Sequence, residues 1–368
     1  MRGDTEIDHT PDAAEPRPLF SVIVVNYNGK DYLPAALASL RKQTMTSFEV
    51  ILVDNASTDG SADDLDLSGR PGVVTIRNTQ NLGFTGGVNC ALDSARGTYL
   101  ALLNPDCEAH ETWLMELANA VTQHPDVAMF SSTQICQDDA NIIDGAGDNY
   151  YFAGIPWRGG YGRPIADLPE TGDCFSPCGA GAVIKRSVFD AAGGFDEDFF
   201  CYCEDVDLGF RLRLLGERCV YWRPAVVTHA GSATSGKDSE FTIYHGTRNR
   251  IWTYAKNMPM AALILTTPLH VAASLYFYWR CPGGKRRKAM GKGLLDGWRG
   301  LGDIWAKRKH IQKSRKVSSF SLLRAMTWHP AKLRQRRTDV RYNRYHRING
   351  QRAAYKASTP EQPLEKTI

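Results

Sequence analysis

The stretch that most constrains the fold is Tyr99-Leu-Ala-Leu-Leu-Asn-Pro-Asp106. Four apolar residues in a row, Leu100 to Leu103, are too few for a helix and read as a strand buried on both faces. Proline lacks a backbone donor and fixes its φ, so the ladder stops at Asn104-Pro105-Asp106 and the chain turns out of the sheet. A carboxamide and a carboxylate two residues apart then project from one side of that edge. Oxygen ligands at the C-terminal edge of a sheet suit a hard divalent cation that already carries phosphates, so Asp106 is expected to hold such a cation against a nucleotide diphosphate. An ordinary Asx-Pro turn accounts for the same residues taken alone, and the rest of the chain has to decide.

The segments before it repeat one plan. Phe20 to Val25 reads as a buried strand, followed by Asn26-Tyr-Asn-Gly29 and a helix from about Asp31 to Gln43 with Leu33, Leu37 and Leu40 on one face. Phe48 to Val53 is a second strand, running into the turn formers Asp54 to Gly60; Val73 to Ile76 is a third, followed by Asn78 to Gly87 and a helix through Ala95. Such alternation predicts an open parallel α/β sheet. Each strand delivers polar residues at its C-terminal end: Asn26 and Asn28, Asp54 and Asn55, Asn81, then Asn104 and Asp106. In a parallel sheet those ends share the ligand-binding edge, which points to a nucleotide crevice. No GxGxxG follows the first strand, unlike a dinucleotide fold; Gly83-Phe-Thr-Gly-Gly87 reads either as close backbone approach to a ligand or as a glycine entry to a helix.

Met129 to Cys178, rich in Gly, Asp and aromatics, is expected to be irregular with short strands, covering an acceptor site. A strand at Ala180 to Ile184 and a short helix at Arg186 to Ala192 precede Gly193-Gly-Phe-Asp-Glu197. Glu204-Asp-Val-Asp207 opens a helix that Gly216 ends, and acids in a first turn need no function, since the helix dipole favours them. A strand at Arg218 to Tyr221 leads to Pro224-Ala-Val-Val-Thr-His229, whose position before a loop of small residues allows His229 to reach a metal. A lone histidine is more often structural. The nine cysteines are an odd number and read as reduced thiols; Cys201/Cys203 and Cys174/Cys178 lack the second pair a structural zinc site needs.

Charge divides the chain. From Ile251 onwards there are 25 Lys and Arg against 5 Asp and Glu, and before it 19 against 35. An acidic body and a basic end imply two jobs, the second facing an anionic surface. Met1 to Pro18 has no apolar core for a signal peptide, so the body is expected in the cytosol. Met258 to Trp279 carries no Asp, Glu, Lys or Arg and approaches the length of a membrane span. Pro259, Pro268, Thr266, Thr267, His270 and Ser274 interrupt it, and a span would export Lys285-Arg-Arg-Lys288 against the positive-inside tendency. A helix lying in the inner leaflet fits better, with Tyr276 to Trp279 at the interface and the amphipathic pieces around Gly293 to Trp298 and Ser319 to Trp328 beside it. Self-association through these helices is the alternative use, and nucleic-acid binding is not expected.

Taken in order, Val24-Val-Asn-Tyr-Asn-Gly29, Val53 to Gly60, Asn81-Leu-Gly-Phe84, Leu103-Asn-Pro-Asp106, Gly193 to Glu197, Glu204-Asp-Val-Asp207 and His229 resemble the family 2 glycosyltransferases of GT-A fold, in particular the rhamnosyltransferase-like branch. The resemblance covers residues 20 to 250. It implies a mostly parallel Rossmann-like sheet flanked by helices as a catalytic domain over 20–250, after a disordered tail over 1–19. A helical, membrane-associating region over 251–330 and a basic tail over 331–368 follow. By the same resemblance Asp54 reads the pyrimidine base, with Asn26, Asn28, Asn81 and Gly83 at the nucleoside. Asp106 is the last acid of a DxD motif in which Asn104 stands for the first, and His229 completes coordination of Mg²⁺ or Mn²⁺. Asp205 is the expected base, Glu204 its positioning neighbour and Asp207 the alternative base. The implied reaction is inverting transfer of a sugar, best matched by L-rhamnose from dTDP-rhamnose, to a polyprenyl-diphosphate-linked glycan at the cytoplasmic face of the membrane. A galactofuranosyl or other hexosyl transferase using a UDP-sugar, a non-catalytic nucleotide-sugar scaffold and a nucleotidyltransferase are the rivals; no lysine-rich phosphate loop in the N-terminal half supports the last.

Overall fold

All residues of Phe20–Asn26 (β2) and Phe48–Asp54 (β3) are buried, the pattern of strands covered on both faces. In the computed structural model, which describes residues 6–7, 17–63, 65, 72–231 and 239–342, both lie parallel within one sheet. Val73–Arg77 (β4) flanks β3 and Tyr99–Leu103 (β5) flanks β2. Glu6–Ile7 (β1) closes the edge against β4. Alternate side chains of β2 feed two cores: Val22 and Val24 pack with Leu33, Leu37 and Leu40 of Leu33–Arg41 (α1), whereas Ile23 and Val25 pack with Val88 of Gly83–Cys90 (α2).

The sheet continues in the order β1-β4-β3-β2-β5-β12-β7-β13-β11, where β7 is Met129–Cys136, β11 Gly172–Asp173, β12 Gly181–Lys185 and β13 Cys219–His229. β12 runs antiparallel to both neighbours, while β7 and β13 are parallel. Cys107–Ala109 (β6) pairs with the end of β13, Ile143–Ala146 (β8) with β7, and Asp148–Tyr151 (β9) forms a hairpin with Ile155–Arg158 (β10). The helices of this body after α2 are Trp113–Gln123 (α3), Arg186–Ala191 (α4) and Glu204–Leu214 (α5).

Two expectations need correction. The stretch from Met129 is not mainly irregular: β7 is a full interior strand. Its Ser, Thr and Gln disguise it; of these, Ser132 accepts from the Trp113 indole at 2.8 Å and Thr133 bonds the Tyr221 hydroxyl at 2.6 Å, while the side chains of Ser131 and Gln134 have no hydrogen-bond partner among the described residues. The strand at 218–221 and the segment to His229 form the single strand β13, with a register shift between Trp222 and Val226 that accommodates Pro224.

The C-terminal part is helical: Glu240–Asn257 (α6), Met260–Arg280 (α7), Lys285–Arg299 (α8), Leu301–Lys313 (α9), Ser319–Ala325 (α10) and Pro330–Arg334 (α11). The boundary expected at residue 250 falls inside α6. That helix is bound to the body by Lys256, whose ammonium is fully buried between Asp196 and Asp207, 2.9 Å from the latter. The chain after 326 returns to the body rather than leaving as a tail, because Thr327 N–H bonds the Tyr150 carbonyl at 2.9 Å and Arg341 exchanges backbone bonds with Asp173. The rest of the expected basic tail, 343–368, and most of the expected N-terminal tail, 1–5 and 8–16, lie outside the described residues.

Candidate active site

At the C-terminal edge of β5 the chain makes a tight turn, Cys107 N–H reaching the Asn104 carbonyl at 3.0 Å, and enters β6 at once. The pairing of β6 with β13 sets Cys107 opposite His229, and Ala230 N–H bonds the Asp106 carbonyl at 3.0 Å. Sheet register therefore brings Asp106 and His229 together, with Nε2 of the imidazole 3.4 Å from Oδ1 of the carboxylate. Nδ1 is held by Asp144 of β8 at 2.6 Å, and Arg158 of β10 in turn holds Asp144. Burial would lower the pKa of His229, but the bonds to Asp106 and Asp144 more than reverse this and lift it to about 9. Asp144, against the upward pull of burial, is lowered by His229 and Arg158.

This donor set fits a divalent cation. A buried imidazole between two carboxylates is a place built for positive charge, and Asp144 fixes the Nδ1–H tautomer so that Nε2 faces Asp106. A carboxylate oxygen with an imidazole nitrogen suits Mn²⁺ or Mg²⁺ completed by diphosphate oxygens.

Asp106 and His229 open on a cavity of about 660 Å³, within the range of small-molecule sites. Asn55, Asn81, Gly83, Asn104 and Tyr27 line its β-edge side, and Glu204, Asp205, Asp148, Arg158 and Gly179 line the other. Asp205 stands in the first turn of α5, its Oδ2 accepting from Gly179 N–H at 2.9 Å and its Oδ1 from Val206 N–H at 2.7 Å. Burial raises its pKa although both bonds pull down. Burial also raises Glu204 well above the carboxylate range, with the Asp205 charge adding to it, and Glu204 Oε2 has no partner among the described residues. Asp148 is pushed up strongly by burial and then by Asp205. A carboxylate oxygen of each aspartate and the Cys178 sulfur all lie within 4.8 Å of one another, so the acids of this wall titrate together.

Other expected site residues are placed differently. Asn26, Asn28 and Asp54 stand at the sheet edge but not on the cavity wall. The Asn26 amide donates to Ser61 at 2.8 Å, Ser57 at 3.1 Å and Asp54 at 3.3 Å, and Asn28 Oδ1 accepts from Thr58 N–H at 2.8 Å. These groups tie two strand-end loops together, and Gly29 is needed there because a Cβ would sit 2.4 Å from Asn26 Oδ1. Asp207, the alternative base, is fully buried and bound by Arg211, Lys256 and Asn257, which makes it structural. Asp148 and Arg158 on the cavity wall, and Asp144 behind His229, belong to the site yet carry no sequence signal for it, whereas Asn55, named with Asp54 at a strand end, does line the cavity.

The two walls meet at Phe200. Gly83 has φ +71°, and a Cβ there would lie 2.3 Å from the Phe200 carbonyl oxygen, which also accepts from Thr85 N–H at 3.2 Å. Phe200, Tyr202 and Cys203 themselves hold positive φ, a strained approach to the first turn of α5.

Comparison with known proteins finds glycosyltransferases. Residues 21–193 match the family model described as glycosyl transferase family 2, which ends short of Asp205 and His229. The chain is 28% identical over 249 residues to the N-acetylglucosaminyl-diphospho-decaprenol L-rhamnosyltransferase of Mycobacterium tuberculosis, covering 59% of this chain and 78% of that protein. It is 36% identical over 88 residues, 24% of this chain and 35% of the relative, to an Escherichia coli protein named UDP-Glc:alpha-D-GlcNAc-diphosphoundecaprenol beta-1,3-glucosyltransferase WfaP. Among solved structures, GalNAc-T7 with UDP, GalNAc and Mn²⁺ superposes with a TM-score of 0.56 at 17% identity, over 80% of this chain and 57% of that one, a likeness that shows the GT-A fold alone.

Proposed function

We infer that this chain, a member of glycosyltransferase family 2 through residues 21–193, moves a sugar from a nucleoside diphosphate onto a hydroxyl of a polyprenyl-diphosphate-linked glycan. The work would be done in cell-wall or surface polysaccharide synthesis, at the cytoplasmic face of the membrane. The observation that carries this reading is one cavity lined on one side by the paired Asp106 and His229 and on the other by the buried acids Glu204 and Asp205.

A divalent cation held by Asp106 and His229 would offset the negative charge that grows on the departing diphosphate. The chain's own groups do the rest. Asn55, Asn81, Asn104 and the Gly83 backbone line the donor side. As the acceptor oxygen bonds to the anomeric carbon, its proton passes to Asp205. The bond from that carbon to the diphosphate breaks, and its electron pair leaves with the nucleoside diphosphate. Burial raises the basicity of Asp205 for this step, and Glu204, raised by the same burial, stands beside it as its positioning neighbour. One displacement with no covalent intermediate inverts the anomeric carbon.

The mycobacterial relative supports L-rhamnose from dTDP-rhamnose as donor, and the shorter Escherichia coli match supports a UDP-hexose as the second reading. Both names share a diphosphopolyprenol acceptor carrying N-acetylglucosamine. A thermal-shift panel of nucleotide sugars with and without Mn²⁺ or Mg²⁺ tests the proposal, since a bound ligand stabilises by mass action. The expected outcome is a cation-dependent shift with dTDP-rhamnose and slow release of nucleoside diphosphate. No shift with any nucleotide sugar would sink it.

A further inference from the structure

α7 spans Met260–Arg280 with a mean hydropathy of 1.5 over its best window, enough by length and composition to cross a bilayer. Its contacts forbid that. Tyr254 of α6 bonds the Leu263 carbonyl at 3.0 Å and Thr266 at 2.8 Å, and its ring stacks on His270 at 4.1 Å. His270 bonds the Ala153 carbonyl of the β9–β10 turn at 2.9 Å, and Arg250 donates to Ser274 at 3.1 Å while lying over Phe277. One face of α7 is thus fixed to the folded body from Leu263 to Phe277. A crossing would strip these bonds, leave His270 and Ser274 to hydrocarbon, and take from Arg250 of α6 its partner Ser274.

The opposite face is apolar and bare. Ile264, Leu265, Leu269, Tyr276 and Trp279 are exposed, Leu265 at 79% and Trp279 at 70%, spaced as one side of a helix. Positive charge brackets this stripe. At its C-terminal end follow Arg280 and the exposed Lys285, Arg286 and Lys288. Its N-terminal end borders a cleft of about 410 Å³ lined by Met260, Trp305, Arg308, Lys309, Gln312 and Arg315, with no Asp or Glu on its wall. Arg308 is buried and donates to the Ala255 carbonyl at 2.8 Å, and no carboxylate pairs Arg308, Lys309 or Arg315 among the described residues. Three cations without a counterion, edged by an apolar helix, select an anion that carries an acyl chain.

We propose that the bare face of α7 docks flat on an anionic bilayer, the cleft between α7, α9 and α10 taking the phosphate of a lipid headgroup. This deepens the membrane-facing part of the reading above and fixes its geometry: the helix lies in the interfacial plane, and the body and the basic end stay on one side. Flotation of the full chain with sealed phosphatidylcholine vesicles, with and without phosphatidylglycerol, tests it. The wild type should float with the anionic vesicles at low salt and much less with the neutral ones. Lys309→Glu with Arg315→Glu, and separately Leu265→Asp with Trp279→Asp, should each weaken binding by roughly tenfold or more at an unchanged thermal midpoint. Trypsin added outside should cut at Lys285 to Lys288. Indifference of the wild type to anionic lipid, wild-type binding by the cleft variant, or protection of Lys285 to Lys288 inside the vesicles would each overturn the proposal. Nucleoside diphosphate release in vesicle-free buffer reports on the enzymatic reading separately, and should be the same in all these variants.

Discussion

The two walls of the cavity treat their polar groups in opposite ways. On the donor side the polar groups are neutral and mostly bonded to one another: Asn55 donates to Asn81 at 3.1 Å and to the Gly83 carbonyl at 2.8 Å, and behind this wall the Asn26 amide donates to Ser57, Ser61 and Asp54, only its Oδ1 lacking a partner among the described residues. On the acceptor side, Glu204 keeps an oxygen without a partner and Asp148 crowds Asp205. A bonded network is cheap to bury and rigid; an uncompensated acid in a dry wall holds free energy that a proton can release. In the proposed reaction the first wall would orient the donor and the second would take the proton.

Three substitutions bear on that contrast. The largest effect is expected from Asp205→Asn, which should cut turnover by about 10²–10⁴-fold while leaving the nucleotide-sugar thermal shift in place. Because burial lifts the Asp205 pKa, the base is fully ionised only above the ordinary aspartate range, so the wild-type rate should climb with pH along a limb displaced upward, and the variant should lack it. A limb at the ordinary aspartate position would show the wall to be solvated after all. Next comes Asp144→Asn, which removes the carboxylate behind His229 and should weaken Mn²⁺ binding by about 10–100-fold, read by calorimetry. Unchanged affinity would place the cation elsewhere. The smallest is Asn26→Ala, expected to cost about 1–3 kcal/mol of unfolding free energy in denaturant melts, with turnover falling far less than in Asp205→Asn. Should it instead abolish turnover at unchanged stability, the donor wall is reactive too and the contrast fails.

Much of the fold is legible in the sequence, because β2, β3 and β5 are unbroken apolar runs and each ends in turn chemistry. The sheet edge follows from that alternation. What a side chain does at the edge does not, and so Asn26, Asn28 and Asp54, at the right place in the backbone, turn out to be aimed at neighbouring loops. The partnership of Asp106 with His229 is set by the register of β6 on β13, residues more than a hundred positions apart, and no local pattern encodes it. Asp144, Asp148 and Arg158 are hidden for another reason. They sit on short strands of Gly, Asp and aromatic residues, β8 beside β7 and the hairpin β9–β10, and in β7 itself Ser132 and Thr133 find their partners only in the tertiary structure.

Lys256 gives the helical end a meaning beyond attachment. Its ammonium sits under α5 between Asp207 and Asp196 and shares Asp207, two residues from the proposed base, with Arg211 of α5, so part of the charge that balances this helix is delivered from outside the α/β body. A chain cut ahead of α6 would take Lys256 and Asn257 away from Asp207 and leave Arg211 of α5 to hold it alone, at a cost of several kcal/mol. The expected outcome of such a truncation is a destabilised α/β body, read as a lower thermal midpoint.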